Sequence, residues 1–268
     1  MAKKVIMRAP DGSILQIESH ECLESTAALA KHYAKAGYPD RYVIFSEKKS
    51  VTSATGEKLK QGQNERGVYL SLLLRPSMFI SQAGFVRAMA ALALVNALSE
   101  HTTKKLGIGW ISDVYCEGRL IGGAMTEGLL DNFSSYEYII VTFEVKLSEI
   151  DFPPRLNDIV KKVFESENTS INMIVAKNIL MKFMSLYPKQ LKTPDKFMEQ
   201  YKSRFALRGT KLTYVENGKR KRCNVLGIES TNGTLIVERS RGKIAHIANP
   251  KSIIKPKKIK LKYQSAKN

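Results

Sequence analysis

The sequence predicts an α+β fold: a mixed β-sheet backed by helices, followed by a small β-barrel-like module. Three observations carry this reading. Strand-type segments alternate with helical patterns over roughly the first 200 residues. An alanine-rich apolar helix stands among them, from about Gln82 to Leu98. Beyond Arg208-Gly209 the pattern changes to short strands separated by Asn217-Gly218 and Asn232-Gly233, the dipeptide favoured in two-residue hairpin turns. The expected division is 1–206 for the larger unit and 207–268 for the smaller one.

In chain order, Val5 to Arg8 and Ile14 to Glu18 read as strands joined by a turn at Pro10-Asp11-Gly12-Ser13, where proline presets φ and Asp-Gly tolerates left-handed geometry. Ser25 or Thr26 caps a helix, Ala27 to Lys35, that ends near Gly37. Arg41 to Ser46 is a buried-type strand. Lys48 to Arg66 shows no periodicity and is long for a loop, a length often associated with function or disorder. Val68 to Leu74 is the next strand. The helix after it presents Phe85, Met89, Leu92, Val95 and Leu98 as a buried stripe. Tyr138 to Leu147 is a long strand stopped by Phe152-Pro153-Pro154. Helices are expected near Leu156 to Phe164, at Ile171 to Leu186, and from Thr193-Pro194 to about Lys202, where proline occupies the first helical position. The last strands are Lys211 to Val215, Asn224 to Ile228, Thr234 to Glu238 and Lys243 to Ile247.

Composition excludes several function classes. No apolar run reaches the roughly 18 to 20 residues of a membrane span, and the richest, Phe85 to Leu98, is interrupted by Arg87 and Asn96. The first residues lack the apolar segment of a secretory signal, so a cytoplasmic protein with no membrane partner is expected. Cys22, Cys116 and Cys223 are widely spaced without a Cys-x-x-Cys pair, and the four histidines are scattered, so neither a disulfide frame nor a metal site is indicated. The net charge is +18, and most of the excess follows Tyr201, in GKRKR, RSRGK and KPKKIKLK. Such a field attracts an acidic partner or nucleic acid, or else keeps a lysine-rich surface solvated. Lys255 to Lys262 has the alternation of a lysine-protected edge strand or frayed tail.

Gly107 to Glu127 is the segment with the most specific pattern. Val114 to Cys116 ends a strand, Glu117-Gly118 makes a two-residue turn, and Leu120-Ile121 begins a return strand broken by Gly122-Gly123. A glycine pair there marks the close approach of a ligand or of another backbone. Asp113 lies near Trp110, the single tryptophan.

With these features in order, the chain resembles the biotin protein ligases of the biotin/lipoate ligase superfamily over nearly its whole length. LESTAALAKHYAKAG is similar to the family's Asp-Ser-Thr-Asn helix start, and GVYLSLLLRP to the strand after its biotin loop. IGWISDVYCEGRLIGGAMTE aligns without a gap on the stretch from Ile-Lys-Trp-Pro-Asn-Asp to Ala-Gly-Ile-Leu-x-Glu. YKSR and VLGIESTNGTLIVE resemble the linker and the C-terminal β module. The resemblance implies a class II aminoacyl-tRNA synthetase/biotin ligase-like sheet followed by a small SH3-like β-barrel domain. It also implies biotin and ATP with magnesium as cofactors, a biotin carboxyl carrier protein as partner, and leaves a homodimer open. In the family reaction the biotin carboxylate attacks the α-phosphate of ATP, pyrophosphate leaves, and the adenylate is passed to a carrier lysine. The family's repressor branch is not expected, since about 20 residues ahead of Ser25 are too few for a winged helix-turn-helix.

Such chemistry brings two anions together and needs fixed cations and N–H donors at the reacting centre. Here the chain departs from the family. SVTSATGEKLKQG replaces the arginine- and glycine-rich loop, Gly109 stands for the motif lysine, and Leu120 for the return-strand lysine. Ile111 and Ser112 replace Pro-Asn, and VTFEVKL, with Glu144, replaces a Gly-x-Gly-x-Asn strand. The resemblance leaves Ser25, Thr26, Trp110, Asp113, Gly118, Arg119 and Gly123 as substrate-binding candidates, with Lys58 and Lys60 as substitute cations and no assigned catalytic residue. Each retained residue also has a structural role open to it: an N-cap, a core side chain or turn geometry. Two classes of function follow: a ligase-like protein whose adenylation is lost or strongly altered, or a non-catalytic binding or regulatory protein acting through a basic surface. A lipoate-type ligase is a weaker third reading.

Overall fold

The computed structural model describes residues 2–50, 65–78, 82–147, 150, 170–187, 194–229, 233–249, 252–254 and 256–260. The chain opens with β1 (Lys3–Arg8) and β2 (Ile14–Leu23), paired antiparallel. Their turn is fixed by Asp11, whose Oδ1 accepts from the Ser13 backbone N–H at 3.1 Å and from its hydroxyl at 2.6 Å. Helix α1 (Thr26–Lys35) is capped by Ser25, whose Oγ accepts from the Ala28 N–H at 3.1 Å. It crosses to β3 (Tyr42–Lys49), which runs parallel to β2, the one parallel pair of the sheet among the described residues. β4 (Glu65–Leu74), α2 (Ala83–Ser99), β5 (Leu106–Ile108), β6 (Asp113–Cys116), β7 (Arg119–Leu130) and β8 (Tyr136–Lys146) follow. The eight strands are ordered β1-β2-β3-β4-β8-β7-β6-β5.

One face of this sheet carries α1 and the other carries α2 and α3 (Ile171–Leu186), which pack on each other. Alternation in β4 and β8 decides which residue faces which layer: Leu70, Leu72, Val141 and Phe143 join the large core, while Leu73 and Ile140 join the cluster under α1. Helix α2 is more deeply embedded than a single stripe requires. Ala88, Ala90, Ala91, Ala93, Leu94 and Ala97 are buried together with Met89, Leu92, Val95 and Leu98, whereas Phe85 is only partly covered. A helix held between a sheet and a second helix is apolar on most of its circumference, and alanine lets both neighbours come close. The return strand β7 is not broken by Gly122-Gly123 but runs through them for 12 residues.

After α4 (Pro194–Ser203) the remaining strands are β9 (Lys211–Glu216), β10 (Lys219–Ile228), β11 (Leu235–Glu238), β12 (Ile244–Ile247) and β13 (Ile253–Ile254). Their order, β12-β11-β10-β9-β13, is open, so the expected SH3-like barrel is not closed among the described residues. The run GKRKR enters a strand: Asn217-Gly218 form the turn with φ of 51° and 72°, and β10 begins at Lys219. The segment 256–260 is neither a frayed tail nor an edge of its own sheet. It hydrogen-bonds to the β6–β7 hairpin, through Ile259 N to Gly118 O at 2.7 Å and Leu120 N to Lys257 O at 3.0 Å. One hydrophobic cluster runs from Ile108 and Val114 of the first sheet to Leu212 and Val225 of the second. Among the described residues no helix is long and apolar enough to cross a membrane. The helix expected near Leu156 to Phe164, and most of the loop from Lys48 to Arg66, lie outside the described residues.

Candidate ligand site on the central sheet

Strand register lines up the polar residues of the sheet. His20, Ser46, Tyr69, Glu144, Gly123 and Asp113 are successive cross-strand partners from β2 to β6. Next to this row, Ser71 of β4 and Thr142 of β8 form another pair. The start of α1 stands over that second pair. The buried Ser71 hydroxyl is 2.9 Å from Thr26 Oγ1 and 3.0 Å from Thr142 Oγ1, giving a chain of three hydroxyls. In the first row Lys49 Nζ donates to both oxygens of Glu144, at 2.9 and 3.0 Å, and lies 5.8 Å from the centre of the Tyr69 ring. Glu144 and Lys49 are each about a third exposed, so the ion pair faces partly toward water. The floor beside the α1 start is therefore polar but locally neutral.

The hairpin contributes less to an open surface. Trp110 is buried, and its indole N–H donates to the Gly233 carbonyl at 2.8 Å. Asp113 is buried next to two buried phenols. Tyr115 donates to Pro256 O at 2.8 Å, and Tyr201 to Ile111 O at 2.6 Å. Burial, reinforced by the Asp113 charge, raises the pKa of both phenols, so they remain donors at any working pH. A Cβ at Gly109 would lie 2.7 Å from the Tyr115 ring and 3.2 Å from Asp113 Cβ. At Gly118 (φ 81°) a Cβ would meet Ile259 O at 2.1 Å, and at Gly123 it would meet Ser112 O at 2.4 Å. These glycines admit another backbone, the second of the two possibilities that a glycine pair raises. Arg119 is exposed and bridged to Lys258, so the tip of the hairpin is clasped by the 256–260 segment.

Of the sequence-derived candidates, the structure thus brings Thr26, Asp113 and Gly123 into adjoining rows. It leaves Ser25 as the helix cap, Trp110 within the core and Gly118 and Arg119 at the hairpin tip. Lys58 and Lys60 lie outside the described residues. Sequence reading missed Lys49, whose partner is 95 positions away, and Arg87, whose Nε donates to Ser112 Oγ at 2.9 Å. Only register could reveal the first. The second carried a signal, since a charge interrupting an apolar helix needs a buried polar partner. Among the described residues no group of three or more His, Cys, Asp or Glu is placed to hold a metal ion.

No family model matches the chain. Among curated proteins it is 26% identical over 170 residues to the bifunctional ligase/repressor BirA of Bacillus subtilis, spanning 63% of this chain and 52% of that protein. The namesake from Bacillus spizizenii is 24% identical over 169 residues, 62% and 52% of the two chains. The chain spans about half the length of the curated relatives it matches. Among solved structures, the biotin protein ligase from Aquifex aeolicus in complex with biotin and ATP gives a TM-score of 0.62 at 16% identity, covering 89% of this chain and 97% of that one. A biotin protein ligase-like protein of unknown function from Silicibacter gives 0.64 at 11% identity, covering 94% and 100%. The chain has the fold of the solved biotin protein ligases, and part of its sequence is similar to the two bifunctional ligase/repressors.

Proposed function

We propose that this biotin protein ligase-like protein does not form biotinyl-adenylate by the family's route, and acts instead as a ligase-fold binding or regulatory protein. The observation that carries this reading is the space over Gly109. The resemblance assigns a lysine to that position, and here the buried Tyr115 ring fills it, held by its hydrogen bond to Pro256 O. The ring cannot swing aside without giving up that bond and a fully packed site. The Lys49 charge, which could otherwise meet a phosphate, is neutralised by Glu144.

The described residues therefore do not fit the transition state of adenylate formation. Attack of one anion on another needs cations positioned in advance, and loss of one such donor costs about 3 kcal/mol. The hydroxyls of Thr26, Ser71 and Thr142 and the Lys49–Glu144 pair suit an uncharged polar ligand better than two acids. Neither a carrier protein nor biotin is required by this reading, although both remain the ligands that kinship suggests.

The direct test is biotin-dependent exchange of label between pyrophosphate and ATP. No exchange above the protein-free background is expected. Gly109→Lys alone should not restore it, because Tyr115 excludes the side chain. Saturable exchange by the unaltered protein would reinstate the ligase, with cations supplied from elsewhere in the chain.

A further inference from the structure

The five-stranded sheet has one face turned to the core and one turned to water. Leu212, Tyr214, Cys223 and Val225 are buried on the first. Alternation puts Lys211, Arg220 and Arg222 on the second, where Val215 and Leu226 are also exposed. Register fixes their places. Arg220 is opposite Val215, Arg222 opposite Thr213, and Lys211 opposite Asn224. The two arginines stand two residues apart on one strand, about 7 Å along it, and Lys211 continues the line from the neighbouring strand.

The face is nearly free of acid. Among the described residues of these paired strands its carboxylate is Glu238, opposite Asn224. Glu216 is engaged by Lys221 at 2.5 Å and Arg239 at 2.8 Å. Lys211, Arg220 and Arg222 have no acidic partner among the described residues, in a chain whose net charge is +18.

We infer that this face docks on the sugar–phosphate backbone of duplex nucleic acid without reading its sequence. Guanidinium groups bind phosphate oxygens bidentately, and their spacing along β10 lets one strand's cations meet successive phosphates. β10 pairs with β9 from Lys219 to Asn224 and with β11 from Asn224 to Ile228, so the two arginines stand on a segment held in the sheet by β9. Contact is made by the side chains of Lys211, Arg220 and Arg222. The aromatic ring of this hairpin, Tyr214, is buried on the opposite face, so unpaired bases find no stacking platform there. Duplex binding at this face does not depend on the state of the ligand site.

Fluorescence anisotropy of a labelled mixed-sequence duplex, titrated with the full chain at about 50 and about 200 mM salt, tests this. Three phosphate contacts predict affinity weakening by about 40-fold between those salts. Arg220→Gln and Arg222→Gln should each lower the salt slope by about 0.9, while Lys4→Gln on the far edge of the first sheet leaves it unchanged. All three positions are exposed, and unchanged thermal melts would confirm folded variants. No duplex binding by the unaltered chain would overturn the inference, as would an unchanged slope in the double arginine variant. Polyglutamate binding as tight as the duplex would overturn it too, and would assign the face to an acidic protein.

Discussion

The β6–β7 hairpin and the outer face of β9–β10 make opposite use of their residues. The hairpin resembles the biotin protein ligase pattern, yet its groups are consumed internally: Trp110 by Gly233 O, Tyr115 by Pro256 O, Gly118 by Ile259 and Gly123 by Ser112 O. The outer face matches no motif, yet Lys211, Arg220 and Arg222 are exposed. A retained motif residue is thus not the same as an available one. Packing and close backbone approach preserve glycines, tryptophan and buried tyrosines as firmly as chemistry does.

Breaking the hairpin should have the largest effect. Gly122→Ala would place a Cβ 2.0 Å from Glu144 O, a backbone atom that cannot yield locally. A loss of about 3 kcal/mol, read from urea denaturation, is expected. Tyr201→Phe comes next. It strips the donor from Ile111 O and leaves a carbonyl in the buried loop without that bond, at a cost of about 2 kcal/mol. Ser25→Ala should cost about 1 kcal/mol, the usual value for a lost N-cap, because the Ser25 bond to Ala28 N–H is a local one. A similar loss would show that the Ser25 side chain serves the helix, whatever else it touches.

The smallest effect is expected from acid, and it sharpens the comparison from a third place. Burial alone would raise the pKa of Glu18. Hydrogen bonds from Tyr42, His20 and Tyr33 outweigh burial and bring it below the ordinary 4.5. The same contact, with burial as the leading cause, pushes Tyr33 up to about 12. A carboxyl with a depressed folded pKa contributes stability above its unfolded value and loses it as pH falls through the folded one. Thermal stability should therefore decline as pH drops below about 4.5, and Glu18→Gln should flatten that part of the profile.

Much of the fold is legible in the sequence because it is written in local chemistry. Asp11-Gly12, Ser25, Asn217-Gly218 and Pro194 mark element boundaries that the structure places within a residue or two. The misread elements share one cause. Whether Gly122-Gly123 breaks a strand or lets two strands approach depends on β8, and whether 256–260 frays depends on the hairpin it pairs with. Likewise, α2 looks like a one-sided helix until α3 is packed on it. Within the candidate site, Thr26 could be singled out from its neighbours in sequence. Its hydroxyl partner, Ser71, lies 45 positions away, and Thr142 joins the chain through Ser71, its cross-strand neighbour.

By itself the sequence determined the class of fold, the sites of its turns and caps, and the excess of positive charge, because propensity, periodicity and ionisation belong to a residue and its near neighbours. The tertiary structure decided which charges meet and which remain unpaired. Lys49 is neutralised by Glu144, whereas Arg220 and Arg222 are left facing water, since ion pairing is set by distances that only the folded sheets fix.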